Sequence, residues 1–468
     1  MRRVALLGAI AAGCGVDQTG RDVCDEGQCA AGTLTFGVRV ESQIRSSVGA
    51  VAIIPDEPPW FAGTHDSLAS ISGLSLEGDA SGDEDPFIAR TGVRGLEPLA
   101  VNLLGGYPAP VVGIVPDSED GALLFAIGEQ LDARLRLEAS WVDRDGDLDE
   151  LGHYRPFLRQ PIAFIDAAGA FGGAAATSDA RGWPIVAVSG TRIAIVEEGE
   201  EEVHEGARAM VLRLGQGLRP EILLDLPGID IADVDADGDL VAIAGSYTGA
   251  PTPPDGSAPW PACTDPDPCG FIAAIDLPTG LVRWVQAIHA PGGAAVHVVG
   301  TDAAVVVGMA SAAGAPTDPA LGTGAIPAYL VSLTAAGSSG QPELLDQTIL
   351  ADTGAVVSGR DLDVADDGGV VVAFGYRGSV LVGSDPPSYN GEPDTYAGVI
   401  AELGTDLNWQ WRLFVQMQSV DMRTVAVKGD QVAFGGVYRG AFSLLNPLEV
   451  TLPEPAEVDN GFVLEVHR

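Results

Sequence analysis

The sequence is poor in positive charge. Of its 468 residues, 25 are lysine or arginine and 65 are aspartate or glutamate, which gives a formal net charge of −40. A chain this negative repels a phosphate backbone, so the charge balance argues against nucleic-acid binding. Lys428 is the single lysine, and chemistry that needs a lysine amine is therefore restricted to one position.

The sequence also lacks an apolar run of the roughly 20 residues that a membrane-spanning helix needs. Its N-terminus has two arginines, a short apolar run over residues 4–12 and then Gly13-Cys14, an order typical of a secretory signal. We therefore predict a signal peptide over residues 1–13, followed by a tether over residues 14–32. A Rossmann strand and glycine turn is the rival interpretation, but Gly8 and Gly13 have the wrong spacing for it.

The residues Ala11-Ala12-Gly13-Cys14 resemble a bacterial lipobox. The resemblance implies that Cys14 is diacylated and becomes the mature N-terminus, so that a lipid anchor would be the only contact with a membrane. A plain signal peptide and a misplaced start codon are the alternatives. The expected location is the bacterial cell envelope, either as an outer-membrane lipoprotein or as a secreted protein.

Cysteine is scarce, and its spacing agrees with export. Apart from Cys14, the four cysteines form two close pairs, Cys24 with Cys29 and Cys263 with Cys269. Both pairs lie in polar, glycine- or proline-containing segments, as small loop-closing disulfides do in an oxidising compartment. A zinc site is the alternative, although neither pair has the two-residue spacing of a zinc knuckle.

Hydrophobic residues make up 46% of the chain and charged residues 19%, which excludes intrinsic disorder. Glycine (61) and proline (32) are abundant without a collagen period, and this favours short strands joined by tight turns. Apolar runs that end in glycine then recur about every 60 residues, which indicates a repeat architecture. The seven copies end at Gly63, Gly128, Glu197 (a weaker copy over residues 193–196), Gly245, Gly308, Gly375 and Gly435.

Each copy carries three further strand-like segments. A short apolar segment precedes it across a tight turn such as Asp366-Asp367-Gly368-Gly369, and two more follow, as at 271–276 and 284–286. In the second repeat, residues 168–176 hardly fit a strand. Four short antiparallel strands repeated seven times predict an all-β fold, a seven-bladed β-propeller of four-stranded antiparallel blades over residues 33–468. A two-domain β-sandwich is the alternative.

The seventh repeat lacks its outer strand, and an alternating segment over residues 33–41 precedes the first repeat. We predict that this segment completes the last blade and closes the ring, with Val38 paired to the strand around Val463. Pairing that edge would remove an aggregation hazard.

One repeat resembles a known family. Gly270-Phe271-Ile272-Ala273-Ala274-Ile275-Asp276 followed by Thr279-Gly280-Leu281-Val282-Arg283-Trp284 is similar to the SBBP-type bacterial β-propeller repeat, and residues 397–411 form a looser copy. The resemblance implies a propeller fold and a surface or secreted protein.

The predicted connections between the second and third strands are long, and long loops on a rigid scaffold commonly bind partners. They are also acidic, which predicts a negative face that attracts cations or basic partners; acidity that only keeps the protein soluble is the alternative. The acidic positions are Asp79, Asp83, Glu84 and Asp85; 143–150; 197–202; Asp265 and Asp267; and Asp385, Glu392 and Asp394.

Two aspartate clusters fit the oxygen ligands that calcium prefers. The first is Asp143, Asp145, Asp147 and Asp149, and the weaker one is Asp233, Asp235 and Asp237. The weaker cluster has Ala244 where an EF-hand loop needs its bidentate glutamate, and it aligns with the 363–369 hairpin, so a plain turn also explains it.

Enzyme signals are weak, and no catalytic or cofactor-binding residue is predicted. The histidines at 65, 153, 204, 289, 297 and 467 form no pair at metal-ligand spacing, and no serine nucleophile motif occurs. The expected function is a monomeric, non-enzymatic binding module for a protein or glycan at the cell surface. The alternative is a propeller lyase or quinoprotein-like enzyme with its site at the channel mouth, where His289 and His297 would lie.

Overall fold

The structure is a computed structural model of the whole chain. It describes residues 34–42, 44–54, 58–66, 69–71, 74–76, 84–90, 99–102, 111–117, 121–129, 134–143, 158–166, 173–179, 181–197, 200–252, 260–263, 268–288, 293–299, 305–310, 329–334, 344–349, 355–380, 388–389, 396–406, 408–416, 419–440, 443–446, 448–451 and 456–468. In these residues, no helix is long and apolar enough to cross a membrane.

The described residues are almost entirely strands, with one short 3₁₀ helix at Gln216–Leu218. The strands are β1 (Leu34–Ser42), β2 (Ser46–Ala52), β3 (Trp60–Asp66), β4 (Ala69–Ile71), β5 (Leu74–Leu76), β6 (Glu84–Arg90), β7 (Leu99–Asn102), β8 (Val111–Asp117), β9 (Gly121–Glu129), β10 (Arg134–Asp143), β11 (Leu158–Asp166), β12 (Gly173–Ser178), β13 (Pro184–Glu197), β14 (Glu200–Leu214), β15 (Pro220–Pro227), β16 (Ile229–Asp237), β17 (Leu240–Tyr247), β18 (Cys269–Asp276), β19 (Leu281–Ile288), β20 (Gly293–Val299), β21 (Val305–Ala310), β22 (Tyr329–Thr334), β23 (Leu344–Ile349), β24 (Val356–Val364), β25 (Val370–Ser379), β26 (Ser388–Tyr389), β27 (Ala397–Leu403), β28 (Trp409–Gln416), β29 (Ser419–Lys428), β30 (Gln431–Gly440), β31 (Ser443–Asn446), β32 (Leu448–Thr451) and β33 (Ala456–His467).

The chain divides into two compact units. The first comprises Met1–Pro116, Val142–Phe157 and Ser358–Arg468, and the second comprises Asp117–Trp141 and Leu158–Val357. The first unit holds three antiparallel sheets, with strand orders β2-β3-β6-β7, β24-β25-β27-β28-β31-β32 and β29-β30-β33-β1-β4-β5. These sheets stack against one another at the strands that begin them. Strand β2, the first of its sheet, contacts β29 and β30, and β29, the first of its sheet, contacts β25.

The second unit repeats this pattern. Two of its sheets have four strands, β16-β17-β18-β19 and β20-β21-β22-β23, and a larger sheet contains β9-β10-β11-β13-β14-β15 with β12 paired to β13. The leading strand of each sheet again contacts its neighbour, β12 with β16 and β16 with β20. Consecutive antiparallel meanders stacked in this way are the arrangement of a β-propeller.

Apolar residues from both faces of the strands fill the space between stacked sheets. One buried cluster in the second unit combines Ile185 and Val211 with Ile243 and Phe271 of the following sheet. Clusters in the first unit join the sheets of β25 and β30, and of β30 and β3, in the same way. Because each sheet is buried on both faces, its central strands are continuous apolar runs rather than alternating ones.

The recurrent glycine has a steric cause. In the β2–β3 and β16–β17 pairs the leading strand carries a β-bulge, at Gly49 and Ala232 respectively. The bulge brings a backbone carbonyl oxygen against the second strand, so a side chain at Gly63 would overlap the oxygen of Ser47, and one at Gly245 that of Asp230. Glycine removes this clash.

The predicted pairing of the two ends of the chain is confirmed. Strand β1 lies antiparallel to β33, with Val38 opposite Val463, and both valines are buried. Strand β1 therefore supplies the fourth strand of the β29-β30-β33 sheet, and the short β4–β5 hairpin extends the same sheet beyond it.

Three expectations about the second and third repeats are wrong. Residues 134–143 form β10 inside a predicted loop, because their alternation of charged and apolar residues hid a strand. Residues 173–178, which hardly fit a strand, form β12. The third repeat has its glycine at Gly190, directly before a register shift, rather than ending at position 197, since residues 193–197 continue the same strand past that shift.

The sheet count also differs from the prediction. The described strands form six sheets rather than seven separate blades, because the extension of β13 pairs with β11 and joins two repeats into one sheet. Two of the predicted loops contain hairpins, β4–β5 and β31–β32, and each hairpin adds to the last strand of another sheet.

Candidate functional site

Most of the predicted acidic surface lies outside the described residues: Asp79, Asp83, residues 144–150, Asp265, Asp267, Asp385, Glu392 and Asp394. Glu84 and Asp85 do not belong to a loop, since both are in β6, and Asp85 is fully buried opposite His65. The main part of the predicted surface that the structure describes is Glu197 at the end of β13 together with residues 200–202 at the start of β14.

This run forms the end of a long hairpin, which we call the acidic hairpin and define as residues 192–205. Six of the ten residues from 197 to 206 are glutamate. The two strands pair from Arg192 opposite Glu205 to Glu197 opposite Glu200. On the β13 side, residues 193–196 are all buried, whereas Glu200, Glu201 and Glu202 are exposed. One strand of the hairpin is thus interior and the other is charged.

Strand β11 and the ion pairs around it hold the acidic hairpin in place. Ile193, Ala194 and Ile195 pair with β11. On one face of the hairpin, the guanidinium of Arg134 lies 4.4 Å from the ring centre of Phe164 and donates to Glu201 over 2.7 Å. Paired apolar strands and a buttressed arginine make the projection part of the scaffold rather than a mobile loop.

The opposite face carries a histidine between carboxylates. Nδ1 of His204 lies 3.4 Å from Asp225, and Nε2 lies 3.4 Å from Glu202. Asp225 also accepts from Arg208 at 2.8 Å. Arg208 and Asp225 thus form an ion pair beside the imidazole, and a nucleophile is not part of this group.

The outer edge of the acidic hairpin is open. Strand β15 pairs with β14 from Leu214 to Arg208 and goes no further. It ends at Pro227, which has no N–H to donate, and Gly228 with φ 74° turns the chain into β16. Among the described strands, only β13 pairs with residues 200–205. Their outward N–H and C=O groups therefore lie along a sheet edge that could accept another strand.

Aspartates on the leading strands form a second polar feature. The N–H of Val425 donates to Asp361 over 2.8 Å, and the N–H of Val427 donates to Asp363 over 2.6 Å. Both carboxylates lie on β24 and both donors on β29, so these bonds connect neighbouring sheets. Burial, together with the charge of Asp363, raises the pKa of the Asp361 carboxyl to about 7.

The weaker calcium candidate occupies the equivalent strand of another sheet. Asp233, Asp235 and Asp237 lie in β16, followed by a two-residue turn in which Gly238 has φ 57°. Asp233 accepts the N–H of Val234 and Asp235 accepts the hydroxyl of Thr177. These bonds give the aspartates a structural role, as the alternative of a plain hairpin turn expects. In the described part of the chain, no group of three or more acidic, histidine or cysteine side chains could hold a metal.

The stronger calcium candidate is only partly described. Asp143 ends β10, while Asp145, Asp147 and Asp149 lie outside the described residues, and calcium at either cluster stays a prediction. The same holds for Cys14 and for the Cys24–Cys29 pair. Of the histidines, 153 and 289 also lie outside, and the side chain of His297 in β20 is not described.

The predicted Cys263–Cys269 disulfide is present, with an S–S distance of 2.05 Å. It closes the connection between β17 and β18, where Trp260 packs edge-on against Tyr247 and Phe271. The hydroxyl of Tyr247 donates to the carbonyl of Pro261, and burial raises the pKa of its phenol. Disulfide and aromatic cluster together fix this connection on the end of its sheet.

Buried polar groups in the first unit do not form an open site. His65 and Asp85 are both fully buried at one end of β3 and β6, and Arg90 lies over Trp60 at the other end. Asp85 and Arg90 are five residue steps apart in an extended strand, which separates them by roughly 17 Å. The convergence of histidine, arginine and carboxylate that an enzymatic channel mouth requires is not seen among these residues.

No family model matches the sequence, and no curated protein matches it either. Similar solved structures include Chaetomium thermophilum Sqt1 bound to the N-terminus of the ribosomal protein L10, with 13% identity, a TM-score of 0.44, and coverage of 92% of this chain and 98% of that chain. Saccharomyces cerevisiae Sqt1 has 10% identity, a TM-score of 0.41 and coverage of 88% and 87%. The WD40 domain of SCAP from fission yeast has 9% identity, a TM-score of 0.39 and coverage of 92% and 94%.

At these identities the similarity says nothing about shared ligands or partners. The description of this chain as an all-β protein with a β-propeller arrangement follows from its own stacked sheets. The segment that resembles the SBBP-type repeat folds as two antiparallel strands, β18 and β19. Between them, the pKa of Asp276 is lowered, because hydrogen bonds from Thr279 and Arg283 outweigh the effect of its burial. Membership of that family stays a prediction.

Proposed function

We propose that this chain is an exported, lipid-anchored β-propeller of the bacterial cell envelope that binds a protein or glycan and catalyses no reaction. The observation that carries the proposal is that the connections between the second and third strands of the sheets contain a disulfide and hairpins of their own. In the described residues, the tight turns lie at the opposite end of each sheet, as between Asp237 and Leu240 or Lys428 and Gln431.

The connections at the other end of the sheets contain ordered structure. One is closed by the Cys263–Cys269 disulfide, one forms the acidic hairpin, and others contain the β4–β5 and β31–β32 hairpins. Ordered elaborations at the same end of each sheet are typical of binding surfaces. The acidic residues in these connections add the charge that would attract a basic partner.

Seven repeats remain the best account of the blade number. If the β13 extension is regarded as an addition to β11, the six sheets separate into seven meanders, the last completed by β1. The anchor part of the proposal depends on Cys14 and is tested by labelling cells with an alkyne-palmitate. We expect label on the native chain and none on Cys14→Ser; equal labelling of both would contradict a lipid anchor at this residue.

The binding part is tested with the full mature chain immobilised on a surface and exposed to solubilised native envelope, with and without a calcium chelator. We expect one envelope component to bind saturably, and its binding to fall when residues 248–268 or 441–455 are replaced by short glycine-serine linkers. Absence of any saturable component, or binding that survives replacement of every elaborated connection, would overturn the proposal. Loss of binding only with chelator would show that calcium orders the surface.

A further inference from the structure

We infer that the open edge of the acidic hairpin, residues 200–205 of β14, is a docking site for an extended, basic segment of a partner protein, which pairs with it as an added strand. The inference rests on the proposed binding function and names the surface and the chemistry of its partner.

The first argument is the backbone. A strand edge exposes an N–H and a C=O at every second residue, and the edge at 200–205 is long enough for about three such pairs. The carbonyl of Glu205, at the end of this edge, already accepts a hydrogen bond from the Arg208 guanidinium, so the pairing of an added strand rests on residues 200–204. The inner strand of the hairpin is fixed by its pairing with β11, so the edge is held straight before a partner arrives. A preformed edge reduces the ordering cost of binding.

The second argument is charge. The side chain of Glu202 is 72% exposed, and Glu200 is exposed on the same face of the strand. A second copy of this chain would bring the same negative edge against its own, and the repulsion disfavours self-pairing. A strand with arginine or lysine at alternate positions would instead place opposite charges directly across from these glutamates.

The third argument is the apolar contact. Val203 is 41% exposed in the middle of the glutamates, on the face opposite to His204. The two flanking carboxylates on the Val203 face are already paired, Glu201 with Arg134 and Glu205 with Arg192. An added strand could therefore place one β-branched side chain next to Val203 and its basic side chains next to Glu200 and Glu202.

The test uses the full mature chain and a fluorescent peptide of about eight residues that alternates arginine and threonine, a length typical of a strand. Binding is followed by fluorescence anisotropy at low ionic strength. Two further peptides serve as controls. One has glutamate in place of arginine, and the other keeps the arginines but is N-methylated at alternate backbone amides, which removes the N–H groups of one edge.

We expect saturable binding of the basic peptide, no binding of the acidic peptide, and affinity at least about tenfold weaker for the N-methylated peptide. The double variant Glu200→Gln/Glu202→Gln should weaken binding by a similar factor. The matched control Glu221→Gln changes an exposed glutamate at the far end of the same sheet and should alter affinity by less than about twofold.

Equal affinity for the methylated and unmethylated peptides would show attraction by charge alone and would overturn the inference, as would full affinity in the double variant. The methylation comparison needs only the native chain, so it holds even if a variant folds poorly. Failure here is distinguishable from failure of the proposed function. If the double variant binds the native envelope component as the parent does, this site is wrong and the binding module stands.

Discussion

The carboxyl of Asp361 offers a test of how the stacked sheets hold together. It accepts the N–H of Leu362 in its own strand and that of Val425 in β29. It also bonds to the hydroxyl of Thr424, which in turn accepts the N–H of Val51 in β2. One side chain thus links three stacked sheets. The variant Asp361→Asn keeps an oxygen for Val425 and removes the titrating group.

The direction in which stability changes with pH follows from the raised pKa of Asp361. The folded value of about 7 exceeds the reference value of 3.8, so the folded state binds the proton more tightly than the unfolded chain does. The stability that the neutral carboxyl contributes is present at low pH and is lost as pH rises towards 7. Between pH 5 and pH 8 the loss in the parent is about 3 kcal/mol. The variant Asp361→Asn should not show this loss of stability, because its amide does not titrate.

Urea unfolding of both proteins at pH 5, 6, 7 and 8 measures this difference. We expect the free energy of unfolding of Asp361→Asn, relative to the parent, to rise by about 3 kcal/mol from pH 5 to pH 8. Asp366→Asn, which removes an exposed carboxylate in the following turn, is the control and should not reproduce this rise. A flat or falling difference for Asp361→Asn would refute the assignment of a buried, proton-binding carboxyl to this junction.

Three further predictions concern stability. Gly245→Ala should lower the free energy of unfolding by about 2 kcal/mol or more, because the new methyl overlaps a backbone oxygen. In the control Gly128→Ala, the new methyl has nothing within 4 Å, and the free energy of unfolding should change by less than about 0.5 kcal/mol. Equal effects of the two substitutions would reject the bulge explanation. Replacing both Cys263 and Cys269 by serine should lower the free energy of unfolding, measured by thermal unfolding, by about 2 kcal/mol. Adding reductant to the parent should reproduce this loss. Val38→Asp places a charge in the buried β1–β33 pair and should lower the free energy of unfolding by about 3 kcal/mol or more. An unchanged melting temperature would contradict the observed pairing.

Regular, continuous apolar strands were predictable from the sequence. The runs around Ile243, Phe374 and Phe434 are buried on both faces between sheets, and such runs stand out from polar turns whatever the exact geometry. The end-to-end pairing could also be predicted, since an alternating segment near residue 38 had no other sheet to complete and the last repeat lacked one strand.

Strands with mixed chemistry could not be placed. Strand β10 alternates arginine and glutamate with leucine and alanine, so its apolar residues never form a run. Strand β13 is 14 residues long in all, and its second half, residues 193–196, resembles a copy of the repeat motif. Whether such a segment is a loop, a repeat strand or an added hairpin depends on which edge it meets, and this is a contact distant in sequence.

The acidic hairpin shows the same limit. The glutamates at 197–202 predict a binding surface, but the sequence does not predict the open edge beside them, because that edge exists only where β15 turns away at Pro227 and Gly228. Likewise Glu84 and Asp85 fit a polar loop by composition, yet they continue β6 into the interior, where Asp85 faces His65. Composition predicted the charge, and tertiary pairing determined its exposure.

The junction of β1 with β33 has a kinetic consequence. Beside this junction, the N–H of Gly461 in β33 donates to the hydroxyl of Ser46 in β2 across 415 residues of sequence, among the most distant contacts that a chain of this length can make. Sheets built from adjacent segments can form early, while this one must wait for β33 to be synthesised. Until then the early strand has no partner on that side, and the chain is most exposed to chaperones and to aggregation during this interval.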